Sequence, residues 1–392
     1  MTLQRGVAIG LQAVLGVCAA GLLGWATLRV NLDRMCVVDD TPYLNLCARP
    51  APGSAAHLDR LRSRVAANPG DTPAYIHLAF YDRSAEGATW IRLASQLAPG
   101  EVNVLTLQAA TALAQQAWPQ AVAPLVQLVQ YRASDDASVV LARLIGMGHA
   151  PLLAEHLTPG SRWLQRVLAQ LPGAKVPVSA AMPLVLQAVE KGALEPSSIT
   201  PYIRQLKTAS AWVDAYGLWM SLHRNQVPVL FNGGFDQPFT ADGFDWEPGE
   251  QAPAGKAGAA LARTSDGPGR DGVLQVRFTG RRFSLPLVRQ YLFLGEGRYR
   301  LTGEHRGSRL RMAQGLAWVV RCTGSTAVAG HSEGLMDTGG AWKSFSLEFS
   351  IPPGCGHVVS LQLETHAAYE AETGASGRVE FDAFSLQKQV DP

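Results

Sequence analysis

The 392-residue chain is poor in charge: 17% of its residues are Asp, Glu, Lys or Arg, and 34 bases against 32 acids leave a formal charge of +2. So flat a balance argues against nucleic acid as a partner, because that function rests on a concentrated basic excess. Cysteine is scarce as well. There are five, and no two form a Cys-x-x-Cys pair, so the common zinc and dithiol redox patterns are missing. No Gly-x-x-x-x-Gly-Lys-Ser/Thr phosphate loop is present, and the nine histidines are scattered rather than grouped as ligands. What the chain does have is apolar surface to bury, 47% of its residues, which excludes disorder as its main state.

Some of that apolar content is concentrated near the N-terminus. Between Arg5 and Arg29 there is no charge. Val7 to Leu28 would span about 33 Å as a helix, enough for a hydrocarbon core of about 30 Å and long for the roughly 7 to 15 apolar residues of a cleaved signal. The expectation is a cytoplasmic N-terminus over 1–6, a retained transmembrane helix over 7–28, and a periplasmic linker over 29–54. On this expectation the chain is a single-pass membrane protein whose C-terminal body lies in the periplasm or another extracytoplasmic space. Beyond Cys18 the cysteines number four, Cys36, Cys47, Cys322 and Cys355, and an even number suits an oxidising compartment. Cys322 shares parity with Leu316, Trp318 and Val320, and Cys355 with Val359, Leu361 and Leu363. Two core-facing rows predict a disulfide between them. Cys36 with Cys47 would close a short loop at the membrane exit.

Glycine divides the remainder. Residues 1–230 hold 15 of the 39 glycines and the last 162 residues hold 24, so a helical part precedes a turn-rich one. From Ala56 to about Arg224 apolar residues recur at helical spacing, as in Leu58, Leu61 and Val65 or Val104, Leu107 and Ala110. Asn68-Pro69-Gly70-Asp71 returns as Ala98-Pro99-Gly100-Glu101, and Ser134-Asp135-Asp136 follows at a similar interval, each a break followed by a capping side chain. Leu93-Ala94-Ser95-Gln96-Leu97-Ala98-Pro99 and Trp118-Pro119-Gln120-Ala121-Val122 resemble the end and the middle of tetratricopeptide repeats, over roughly residues 55 to 150. The expectation for 55–226 is an α-solenoid of helical hairpins, extended by helices near Ser161 to Leu171, Ala180 to Lys191 and Ser210 to Arg224. The resemblance implies a docking face for a protein partner.

After Pro228 the period becomes two. Trp342 to Ile351 alternates cleanly, and similar runs occupy Val273 to Phe278, Ser284 to Leu294, Arg298 to His305, Leu316 to Cys322, Val358 to Leu363 and Arg378 to Leu386. Residues 229–388 therefore predict a jelly-roll β-sandwich, and the chain as a whole a multidomain α plus β protein. Leu230-Phe231-Asn232-Gly233-Gly234-Phe235-Asp236 opens this part, then come Phe244-Asp245-Trp246, Gly297-Arg298-Tyr299-Arg300-Leu301-Thr302-Gly303 and, near its end, Gly377-Arg378-Val379-Glu380-Phe381-Asp382. That succession resembles the carbohydrate-binding modules of the galactose-binding-like sandwich group. The resemblance implies a sugar-binding ancestry and a structural calcium ion shared by Asp236 and Asp382, with no organic cofactor.

Two motifs suggest chemistry that their surroundings do not support. Gly330-His331-Ser332-Glu333-Gly334 fits a nucleophile elbow, yet no helix follows it. Gly267-Pro268-Gly269-Arg270-Asp271-Gly272 fits a dinucleotide fingerprint, yet Val273 to Phe278 reads as a strand where a helix should begin. Asp242, Asp245, Glu247, Glu304, Glu364 and Glu380 could in principle supply the two carboxylates of a glycan hydrolase, but no spacing selects a pair. The expectation is no enzymatic activity.

Arg298, Arg300 and Arg306 share one strand face, which Glu296 and Glu304 can neutralise. A sugar site pairs an aromatic platform with a few polar groups, and Trp246, Tyr291 and Trp318 are the candidate aromatics, with Arg289 and Arg306 beside them. Trp318 also lies in the apolar row of Cys322. The whole architecture resembles membrane-anchored accessory proteins of bacterial exopolysaccharide or O-antigen assembly and ligation. The resemblance implies a polysaccharide or oligosaccharide ligand and a membrane protein of the assembly complex as partner. Two alternatives remain: a protein-protein scaffold whose sandwich binds no sugar, and a glycan hydrolase.

Overall fold

The computed structural model describes residues 50–389 apart from 83, 85, 224–226, 242, 250–256 and 268–269, and at Pro196 it describes the backbone alone. The expected membrane segment 7–28, the linker as far as residue 49, and the Cys36 and Cys47 pair lie outside the described residues. Among the described residues, no helix is long and apolar enough to cross a membrane. By its contacts the chain divides between Val176 and Pro177 into two compact units.

The first unit is helical: α1 (Ala55–Ala67), α2 (Thr72–Tyr81), α3 (Gly87–Leu97), α4 (Val102–Ala114), α5 (Trp118–Arg132), α6 (Asp135–Gly146), a short α7 (Ala150–Ala154) and α8 (Trp163–Gln170). The recurring breaks act as read. Asp71 accepts a hydrogen bond from the Ala74 N–H at 3.1 Å, Glu101 from Val104 at 3.1 Å and Ser134 from Ala137 at 3.3 Å, so each caps the helix that follows. Apolar stripes then join neighbours: Leu61 meets Ala74 and Leu78, and Tyr75 meets Ala94 and Val104. Helices α3, α4 and α5 line a groove of about 670 Å³ walled by Ser95, Gln108, Thr111, Gln115 and Gln120, among other residues, with no charged side chain.

The second unit begins with a 3-10 turn (Val178–Ala181) and helices α9 (Met182–Glu190), α10 (Pro196–Thr208) and α11 (Trp212–Leu222). Ten strands follow: β1 (Glu247–Pro248), β2 (Ala259–Thr264), β3 (Val273–Thr279), β4 (Val288–Phe293), β5 (Gly297–Arg311), β6 (Leu316–Cys322), β7 (Val328–His331), β8 (Lys343–Ile351), β9 (Val358–Thr365) and β10 (Ser376–Lys388). A short helix, α12 (Tyr369–Thr373), precedes the last strand. The strands form two antiparallel sheets, β1-β4-β9-β6-β7 and β2-β3-β10-β5-β8. The chain stays in one sheet only at the β2–β3 and β6–β7 connections and otherwise changes sheets, a jelly-roll habit. Leu274, Val276, Phe278, Val379 and Phe381 of one sheet and Trp318, Val320, Leu361 and Leu363 of the other share a single core. Cys322 and Cys355 are joined in that core, with Cα atoms 5.0 Å apart and both residues buried.

One boundary differs from the expectation. The expected array of 55–226 takes in all of α9, α10 and α11, although its pattern singles out helices only near 180–191 and 210–224, and all three belong to the same compact unit as the sandwich. The cause is aromatic packing. Tyr216 of α11 stacks on Phe293 with ring centroids 4.6 Å apart, and Trp219, which is 1% exposed, packs against Phe231 and Phe244 at 5.3 and 5.6 Å. Gly243 permits this approach, since a Cβ there would lie 2.2 Å from Cδ1 of Trp219. The strands that sequence periodicity does not reveal are β1, β2 and β7. β1 and β7 are only two and four residues long, and β2 buries only Ala259 fully.

Candidate functional site

The aromatic candidates separate by burial. Trp246 and Trp318 are each 0% exposed. Their rings meet at 5.7 Å, Phe384 packs on both, and the Trp246 indole donates to the Asn232 carbonyl at 3.0 Å. Both are core residues, and neither presents a face to a ligand, which corrects the expectation of a platform at these positions. Trp246 follows a glycine-rich opening, but that opening folds over it.

Tyr291 and Arg289 are brought together as expected. β4 alternates, with Val288, Gln290 and Leu292 buried and Arg289, Tyr291 and Phe293 on the outer side of the sheet. There they meet α10 and the start of α11. A cavity of about 410 Å³ is lined by Arg204, Lys207, Thr208 and Trp212 from the helices and by Ala241, Glu247, Pro248, Arg289 and Tyr291 from the sandwich. That volume falls in the range of about 300–1,000 Å³ usual for small-molecule sites.

Local folding explains each position. Arg204, Lys207 and Thr208 stand three and four residues apart and so share one face of α10. β1 pairs with β4 so that Glu247 lies directly across from Arg289. Glu247 accepts from the Arg289 Nε at 3.1 Å and from the Lys207 Nζ on its other oxygen. Lys207 is almost wholly buried, also donates to the Gly243 carbonyl at 2.6 Å, and lies 4.4 Å from the centroid of the Tyr291 ring. Burial pushes its ammonium below the usual lysine range. The Glu247 charge and hydrogen bond oppose that shift, and the Arg289 and Arg204 charges add to it. Trp212 and Tyr291 have ring centroids 5.0 Å apart at 42°, forming an aromatic wall, and burial raises the Tyr291 phenol. Arg204 donates to the neutral Ala241 carbonyl at 3.2 Å.

Arg306 is not part of this cavity. It lies in β5 of the other sheet, held by Glu380 at 2.6 Å and Asp266 at 2.8 Å, with its guanidinium 4.7 Å from the Trp342 ring. The expected arginine face exists, but the acids on Arg306 are Glu380 and Asp266, and Arg300 pairs with Glu348.

Around the expected calcium ligands, two carbonyls and the Asp382 carboxylate carry hydrogen bonds. Arg263 donates to the Phe235 carbonyl at 2.6 Å and to the Asp236 carbonyl at 2.5 Å, and Arg270 donates to the Asp382 carboxylate at 2.8 Å. Burial pushes the Asp382 carboxyl upward and Asp236 adds to this, against the Ala383 N–H and Arg270. Arg263 and Arg270 thus share the oxygens around Asp236 and Asp382, the two acids that the resemblance offers to a calcium ion. Among the described residues, no group of three or more His, Cys, Asp or Glu side chains could hold a metal ion. Ser332 is buried, accepts from the Trp318 N–H at 3.0 Å and donates to the Glu333 carbonyl at 2.8 Å, in a segment with no following helix. The Gly267 to Gly272 segment joins the antiparallel β2 and β3, with Pro268 and Gly269 outside the described residues.

The sequence places Arg204, Lys207 and Trp212 within the expected array of 55–226 and singles out no helix over 196–208, so none of the three is expected at a site. Glu247 was visible only as one of six unselected acids.

No protein-family model matches the chain, and no curated protein matches it. Among solved structures it is similar to a family 4 carbohydrate-binding module at 16% identity, covering 41% of this chain and 99% of that one, with a TM-score of 0.32. It is also similar to a CBM22 xylan-binding domain from Paenibacillus barcinonensis, at 14% identity over 40% and 91% of the two chains, TM-score 0.28. A third is a β-1,3-glucan-binding CBM6 from Bacillus halodurans, at 17% identity over 32% and 85%, TM-score 0.21. With scores this low, the fold assignment rests on the strand order and register alone.

Proposed function

We propose that the unit formed by α9–α11 and the sandwich binds a saccharide in the 410 Å³ cavity between α10, α11 and β4. The observation that carries this reading is the pairing of Trp212 and Tyr291 with Arg204 and Arg289 around one hollow. A sugar offers apolar ring faces edged by hydroxyls, and this lining supplies an aromatic wall with polar donors at its border. The protein acts without catalysis as an accessory factor in bacterial surface-polysaccharide assembly, of the exopolysaccharide or O-antigen kind. Its N-terminal segment anchors it in the inner membrane with the body in the periplasm, and its tetratricopeptide-like array docks a membrane protein of the assembly complex.

A glycan array probed with the full chain tests the binding. Trp212→Ala is expected to lose the bound glycan while keeping the wild-type unfolding midpoint. Trp246→Ala is expected instead to cost about 3–5 kcal/mol of stability, as a core aromatic does. A wild-type protein that binds nothing on the array, or a Trp212→Ala variant that binds as before, would overturn the assignment.

A further inference from the structure

The cavity proposed for a saccharide is unevenly charged. Its described lining holds three cations, Arg204, Lys207 and Arg289, and one anion, Glu247. Glu247 is fully engaged, with one oxygen taken by Lys207 and the other by the Nε of Arg289. Lys207 is turned inward, with its Nζ between Glu247, the Gly243 carbonyl and the Tyr291 ring. The guanidinium of Arg204 has only the neutral Ala241 carbonyl as a hydrogen-bond acceptor among the described residues, and Arg289 meets Glu247 through its Nε alone. The described lining therefore carries two more positive charges than negative ones, beside an aromatic wall. A neutral sugar would gain little from that surplus, which water and salt screen at the exposed Arg204 and the half-exposed Arg289. A carboxylate accepts two parallel N–H bonds from a guanidinium, which matches the fork of an arginine.

We infer that the cavity takes an acidic saccharide, with the carboxylate of a uronic acid residue set between Arg204 and Arg289 and its ring against Trp212 and Tyr291. This inference rests on the saccharide-binding reading above and narrows it. Lys207 and Glu247 are positioning residues: the pair holds α10 against β1 and keeps Arg289 turned toward the hollow.

The experiment is a calorimetric titration of the full chain with oligogalacturonate and oligomannuronate, with the methyl ester of each, and with neutral xylo- and gluco-oligosaccharides. At least one free uronate is expected to bind. Esterification, or Arg204→Gln, is expected to weaken it on the order of tenfold or more, the size of a lost hydrogen bond to a charged group. Raised salt should weaken the free acid and leave the ester unaffected. Arg204→Gln should keep the wild-type unfolding midpoint, and Arg289→Lys, which retains the charge but loses the fork, should weaken binding as well. An ester or neutral oligosaccharide that binds as tightly as the uronate would overturn the acidic class while the saccharide reading stands. Uronate binding unaltered in both arginine variants would overturn the site. No binding by any of these probes would overturn both readings.

Discussion

At the scale of single residues, burial decides between chemistry and packing, and sequence period foretells it only where a strand is regular. The outward placement of Arg289 and Tyr291 follows from alternation through β4, and the inward placement of Trp318 from the row it shares with Cys322. Trp246 lies beyond reach of that argument. It follows Phe244-Asp245 at the edge of a two-residue strand, and its burial depends on the Asn232 carbonyl fourteen residues back. His305 illustrates a second consequence of burial. It is 6% exposed within β5, and desolvation holds its imidazole below the ordinary value of 6.5, while backbone hydrogen bonds oppose the shift. The folded protein therefore keeps His305 neutral where the unfolded chain takes up a proton. Its stabilising contribution is complete above pH 6.5 and is lost as pH falls from there toward the folded-state value. The unfolding midpoint is expected to fall between pH 7 and pH 5, and to fall less in His305→Phe. Equal slopes in the two proteins would remove His305 from the account.

At the scale of elements, the strands longer than four residues were legible, except β2, and so were the helix caps, because both are local patterns. The cavity was not. Its two halves, α10 and β4, lie roughly eighty residues apart, and no periodicity within either one announces the other. What joins them is a close approach at Gly243 and the rings of Tyr216, Trp219, Phe244 and Phe293. Gly243→Ala puts a methyl group inside van der Waals contact with Trp219, so the two helices must shift from the sheet. Overpacking of this kind costs about 1–3 kcal/mol. The expected result is a lower unfolding midpoint with altered near-ultraviolet circular dichroism. A spectrum and midpoint like those of the wild type would mean that α11 is not fixed by this contact.

At the scale of the whole molecule, the broad order of a helical part before a sandwich follows from glycine distribution and the change of period, while the division at Val176 and Pro177 does not. A helix that stacks on its neighbour and one that covers a sheet carry the same apolar stripe. The disulfide also belongs to this scale, because it ties the end of β6 to the turn between β8 and β9 and encloses β7 and β8. When the sandwich is stretched from its two ends, the chain between Cys322 and Cys355, a sequence separation of 33, carries no tension. It forms a hidden length of about 110–120 Å at roughly 3.3–3.6 Å per extended residue. In single-molecule pulling, the oxidised protein is expected to release a contour length shorter than the reduced one by that amount. Equal contour lengths would mean that the two cysteines are not joined. A thiol reductant thus sets how far the body can be drawn out under load, and an oxidising compartment keeps it short.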